Sequence, residues 1–200
     1  MTKPTFYLFG LTLLLAGCAS EVNTNVHYYV LDNAASISMP DDIAQRPTTV
    51  AIQTIELADY LKQASLNMQM DNHQVFYSKQ HYWAQPLQTS IRNSLLNDLN
   101  KTSKTAYFVD PQLVNFKQAD LILGLKINHF LPTYESKVVL AGQYWIYNDQ
   151  SNRNLTDSIY NFKYELPLAE NGYGHAVGKL RNLLEQLSKD IVINMENVEI

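Results

Sequence analysis

The order of elements predicts an α+β fold: one domain, a two-layer sandwich with two main helices packed on one face of a largely antiparallel sheet. Three observations carry this. Stretches that alternate apolar and polar residues, the period of a half-buried strand, recur along the 200-residue chain. Two other stretches place apolar residues three and four apart, the stripe of an amphipathic helix. Neighbouring strand-like stretches are joined by short polar connections, as antiparallel neighbours usually are.

Taken in order, His27-Tyr28-Tyr29-Val30-Leu31 reads as a strand, aromatic and branched. Residues 33–47 are polar, broken by Pro40 and Pro47, and read as a loop. Val50 to Ile55 alternates and reads as a second strand. A turn or short helix over Leu57–Leu61 leads to Leu66–Met70, which alternates again. Asp71-Asn72-His73 supplies turn chemistry, so Gln74–Ser78 returns as the hairpin partner. The first helix starts near Pro86, because proline at the first helical position loses no hydrogen bond. Leu87, Ile91, Leu95 and Leu99 form its stripe, while Arg92, Asn93 and Asp98 are expected to face water. Ala106–Val109, Leu121–Phe130, Lys137–Tyr147 and a stretch from Asn154 or Leu155 to Leu166 read as strands, with a polar hairpin loop over 148–152. The second helix covers about 173–195, with Val177, Leu180, Leu184, Leu187 and Ile191 on one side.

Ahead of all this lie Lys3, an apolar run from Phe6 to Leu15, and Leu15-Ala16-Gly17-Cys18. The run is short of the roughly 20 residues that cross a bilayer, so residues 1–17 read as a secretory signal. Small residues just before a cysteine look like the bacterial lipobox. In it the cysteine thiol takes a diacylglyceryl group, cleavage makes it the new N-terminus, and an N-acyl chain follows. Cys18 is the only cysteine, so no disulfide competes for it. The expected organisation is signal peptide 1–17, lipidated N-terminus and tether 18–25, and one α+β domain 26–200. Ala19 and Ser20 follow the cysteine; in the lipoprotein families that this segment resembles an aspartate there favours inner-membrane retention, so the resemblance implies the periplasmic face of the outer membrane.

Composition excludes more than it identifies. The net charge of −4 and pI near 5.7 do not make the basic footprint of a nucleic-acid binder. The five histidines have no metal-ligand spacing, and no Gly-x-Ser-x-Gly elbow is present. The glycines at 172, 174 and 178 miss the dinucleotide spacing by one residue. No catalytic residue, metal ligand or cofactor is therefore expected beyond the acyl chains on Cys18, and no enzyme activity. The 13 tyrosines favour half-buried sheet surfaces, where the ring packs and the hydroxyl stays wet. Tyr82-Trp83-Ala84-Gln85-Pro86-Leu87 stands out: Trp83 either staples the incoming chain to the core or presents a rigid anchor to another protein.

These residues carry a resemblance. Cys18 followed by Tyr28-Tyr29-Val30-Leu31, the Val50–Ile55 strand leading to Leu57-Ala58-Asp59-Tyr60-Leu61, and Tyr82–Leu87 with the Ile91–Leu99 helix behind it resemble the PqiC/YmbA-type lipoproteins. These are auxiliary components of ABC-type transport. The chain departs from that pattern at Ala58, Lys62-Gln63-Ala64 and Gln85. The resemblance implies an outer-membrane lipoprotein that docks an MCE-domain, PqiB-like periplasmic conduit for lipids. Tyr28, Tyr29, Tyr82, Trp83, Pro86 and Leu87 are the candidate partner interface. Self-association around the conduit is left open. A competing reading is direct binding of lipid or lipopolysaccharide, which needs a concave apolar pocket; a hydrolase would need a nucleophile and base in a cleft.

Overall fold

A computed structural model describes residues 25–32, 46–111, 119–148 and 159–196. The signal peptide, Cys18, most of the 33–47 loop, residues 149–152 of the hairpin loop and the expected strand start at Asn154 or Leu155 lie outside the described residues. The strands are β1 (His27–Tyr29), β2 (Thr48–Leu57), β3 (Ser65–Gln69), β4 (Val75–Trp83), β5 (Ala106–Val109), β6 (Leu121–Thr133), β7 (Lys137–Tyr147) and β8 (Ile159–Pro167). The helices are α1 (Leu87–Thr102), between β4 and β5, and α2 (Tyr173–Glu196), after β8. A single 3-10 turn spans Asp59–Leu61. The fold is α+β, as the periodicities predict.

The sheet is mixed. Its longest ladders, β6–β7 and β7–β8, are antiparallel, as is the β3–β4 hairpin. The shorter pairings β1–β4, β2–β5, β2–β6 and β3–β6 are parallel. The antiparallel expectation holds where strands follow one another directly. It misses pairings made across a crossover, because alternation fixes which face is buried and not which distant strand lies alongside. On one side of β6 the sheet forks: β2 covers its first half, and β3 meets its last residue, Thr133, at Gln69.

Both helices pack against each other and on the same face. Ile91, Leu95 and Leu99 of α1 and Leu183, Leu184, Leu187 and Ile191 of α2 are fully buried against Ile52, Ile55, Leu123, Leu125, Ile127 and Leu140. At about 1.5–3 kcal/mol for each buried aliphatic side chain, this layer is the main source of stability. Tyr144 is buried within it, stacked on Tyr160 with 4.9 Å between ring centres, and its hydroxyl accepts a hydrogen bond from Asn194. The β3–β4 turn uses Asn72 and His73 in the left-handed region (φ 53° and 63°). Two such residues make the primed turn that matches strand twist.

A bulge in β6 between Ile127 and His129 brings its backbone against β7 at Gly142. A methyl group there would collide with the Lys126 carbonyl and press the Phe162 ring at 3.0 Å. Gly142→Ala should therefore cost about 1–3 kcal/mol of stability. Gly178 in α2 has open space where a side chain would go, so Gly178→Ala should stabilise by up to about 1 kcal/mol. Opposite shifts of the two urea midpoints would confirm the assignment; equal shifts would refute the close approach at Gly142.

Candidate functional site

The two aromatic segments singled out in the sequence meet in the fold. β1 lies parallel to the end of β4, with His27 beside His81, Tyr28 beside Tyr82 and Tyr29 beside Trp83. Ala84 N–H donates to the Tyr29 carbonyl at 2.8 Å, continuing the pairing to the entry of α1. β4 reaches this position through a bulge between Tyr77 and Tyr82. Within it the Ser78 hydroxyl accepts hydrogen bonds from the backbone N–H groups of Gln80 and His81 at 3.2 and 3.1 Å. β1 is the edge of the sheet.

Side chains on the two faces of this edge behave differently. Facing the helices, Trp83 is 7% exposed and stacks against Phe130, and Leu87 is equally enclosed. Trp83 and Leu87 are thus enclosed on the core side, as a staple requires. Pro86 is exposed and occupies the helix cap, one position earlier than expected; its carbonyl accepts from Thr89 and Ser90 N–H. Tyr29 is half-buried, its hydroxyl 2.8 Å from His81 Nδ1. His81 in turn stacks on Tyr173 at the start of α2, with 3.8 Å between ring centres. On the other face Tyr28 is 70% exposed, its ring 6.0 Å from that of Tyr82.

His81 therefore sits between Tyr29, His27 and Tyr173. Burial, then the neighbouring His27, lowers its pKa. A folded value below the ordinary one means the fold prefers the neutral ring. That preference is intact above about pH 6.5 and is lost as pH falls through the lower folded value. Thermal melts between pH 7.5 and 5 should show a smaller acid-induced drop in His81→Gln than in the wild type. Parallel curves would contradict this account.

Beside Tyr173 opens a cleft of about 250 Å³. Met68, Pro132, Tyr134, Leu168, Tyr173 and Ala176 give it an apolar lining, with Glu170 and Asn171 among its polar residues. The β6–β7 turn and the β8–α2 connection frame it, joined by the Leu168 N–H to Ser136 carbonyl hydrogen bond. Among the described residues no group of histidine, cysteine or acidic side chains could hold a metal.

Behind the edge lies a charge network that the sequence reading missed. Arg181 of α2 donates Nε to Asp32 at 2.8 Å and both terminal nitrogens to the Asp98 carboxylate at 2.7 Å each. Ser94 Oγ donates to the other Asp32 oxygen at 2.9 Å. Asp98 was expected to face water; it is 7% exposed instead. It follows Ile91 by seven residues and Leu95 by three, which puts it on the stripe that α2 covers. Burial pushes its carboxyl pKa up, and the Arg181 guanidinium works against that push. The result ties the segment after β1 to both helices.

Residues 29–192 match the family described as ABC-type transport auxiliary lipoprotein component. The chain belongs to this family. The match starts at the last residue of β1 and ends in α2, so it takes in the charge network and nearly all of the core. Among curated relatives, the intermembrane transport lipoprotein PqiC of Escherichia coli strain K12 is 28% identical over 139 residues, 69% of this chain and 71% of the relative. The PqiC of Shigella flexneri matches to the same extent. Two crystal structures share the fold. One, of an uncharacterised protein, has a TM-score of 0.70 at 19% identity, over 86% of this chain and 99% of that one. The other is protein XCC0632 from Xanthomonas campestris, with a TM-score of 0.63 at 12% identity, over 82% and 92%. The family is one of transport auxiliary lipoproteins rather than of enzymes. No helix among the described residues is long and apolar enough to cross a membrane.

Proposed function

We propose that this lipoprotein is the outer-membrane-anchored subunit of an MCE-type, PqiB-linked intermembrane lipid transport system, where it docks the periplasmic conduit. The observation that carries the reading is the family match across 29–192, joined to relatives named as intermembrane transport lipoproteins. The lipobox at Cys18 supplies the anchor: cleavage before it, a diacylglyceryl thioether and an N-acyl chain. One acyl chain holds a protein only marginally, and several hold it lastingly. Confinement to the membrane plane raises the effective concentration for the docking contact.

Docking is favoured over direct lipid carriage by the packing. Among the described residues the buried apolar side chains of the sheet and both helices pack against one another, and the cleft beside Tyr173, about 250 Å³, is below the ~300–1,000 Å³ of ordinary ligand sites. Affinity capture from crosslinked envelope membranes should recover an MCE-domain protein. Recovery of none, with the bait intact at the outer membrane, would overturn the docking role. Cys18→Ser should leave the domain folded and the protein unprocessed or absent from the outer-membrane fraction; unchanged retention there would refute the anchor.

A further inference from the structure

We infer that the outward face of the β1 edge, formed by Val26, Tyr28, Val30 and Tyr82, rests on the lipid surface to which the chain is anchored. This rests on the anchoring reading above and adds an orientation to it. Three observations carry the inference.

The first is reach. Seven residues, 19–25, lie between Cys18 and Val26, which makes eight Cα-to-Cα steps. Fully extended, those eight steps span at most about 28 Å at ~3.5 Å per residue. The start of β1 is held close to the bilayer whatever the rest of the domain does.

The second is what stands at that point. Val26, Tyr28 and Val30 alternate along the chain, so they share one face of the strand. They are 44%, 70% and 57% exposed. The Tyr82 ring lies against Tyr28. Exposed valines in a row are costly in water, and tyrosine is suited to the boundary between headgroups and acyl chains, with an apolar ring and a wet hydroxyl.

The third is charge. The chain carries −4 overall, yet no Asp or Glu occurs between Val22 and Leu31 or between Asn72 and Asn97. Those two stretches supply both strands of this edge, and the second contributes Lys79 in the β4 bulge. Asp32, the first carboxylate after β1, is ion-paired with Arg181 and accepts a hydrogen bond from Ser94. An acidic protein thus turns a carboxylate-free edge toward its own anchor, which fits a surface of anionic phospholipid. The opposite edge, β8, lies five strands away along β1-β4-β3-β6-β7-β8, roughly 24 Å at ~4.8 Å per strand. It is the strand farthest along this path from the anchored edge.

The test uses the full lipidated chain, reconstituted in vesicles of phosphatidylethanolamine and phosphatidylglycerol. Cys18 is the only native cysteine and its thiol is consumed by acylation, so a fluorophore goes only to an introduced one. Val30→Cys reports on the β1 edge and Lys163→Cys, on exposed β8, serves as control. Nitroxide lipids should quench the label at 30 at least twofold more than the label at 163. Adding Tyr28→Asp should abolish that difference with the melting temperature unchanged. Flotation with the vesicles but equal quenching overturns this inference alone. Failure to float overturns the anchor and the inference together. A label at 30 already shielded in detergent would assign the face to another protein copy and also overturn it.

Discussion

Trp83→Ala should lower the melting temperature by roughly 10 °C and leave partner capture intact well below the transition. The indole is 7% exposed, stacked on Phe130, and part of the same buried cluster as Leu31 and Leu87. Its backbone N–H donates to the Ala64 carbonyl at 2.8 Å, locking the strand just before the turn into α1. Truncating a buried tryptophan removes its transfer free energy and leaves a cavity, together about 3–5 kcal/mol. For a domain of this size each kcal/mol shifts the transition by about 2–4 °C. Tyr28→Ser is the counterpart. Its ring is 70% exposed, so stability should move by less than about 0.5 kcal/mol. Loss of capture in Trp83→Ala at a temperature where circular dichroism reports a native fold would overturn stapling. A melting temperature within 2 °C of wild type, which about 0.5 kcal/mol would give, would overturn it equally.

Two strands dense in branched and aromatic residues were legible to the residue. β5 and β7 have the bounds that their patterns predict, and α2 runs from Tyr173 as its stripe requires. Where the pattern is ambiguous, the reading drifted. His81–Trp83 looked like the lead-in to α1 because a bulge interrupts the alternation of β4. Straightened past the bulge, they are the strand against which β1 pairs. That pairing joins residues far apart in sequence, and no local period encodes it. The fold thus brings the six interface candidates together and divides them into a buried pair, Trp83 and Leu87, a half-buried pair, Tyr29 and Tyr82, and an accessible pair, Tyr28 and Pro86. Asp98 was misread for another reason: its residue type suggested water while its position on the helix said core. A signal was available. Ser94 and Asp98 on the stripe of α1, and Arg181 one residue past Leu180 on α2, break two apolar faces. Polar residues at core positions of facing helices need partners: Arg181 and Asp98 meet each other, and Asp32 accepts from both Arg181 and Ser94.

Arg181→Leu should cost about 3–5 kcal/mol at neutral pH, because it strands two carboxylates rather than removing one contact. The Arg181 side chain is 16% exposed, Asp32 17% and Asp98 8%, so water cannot replace the guanidinium. Arg181→Lys should recover only part of the loss, since an ammonium cannot make the two-pronged contact to Asp98 while also reaching Asp32. The pH dependence separates stranded charge from lost packing. Burial already pushes the Asp98 carboxyl up, with Arg181 opposing it; without the arginine the folded value rises further above the unfolded one. A raised folded value favours the protonated form, so the variant keeps its stability below the unfolded value of about 3.9 and loses it as pH climbs through the raised one. Urea midpoints at pH 7 and 4.5 should therefore differ from wild type by less at the lower pH. Asp98→Leu combined with Arg181→Leu should restore much of the loss at pH 7, as apolar replacements of buried pairs often do. Asp32 would remain held by Ser94 alone. The double variant should accordingly fold well while protecting the β1 amides less from hydrogen exchange than wild type. Equal protection of those amides would mean that the network steadies the helices and has no part in seating the edge strand.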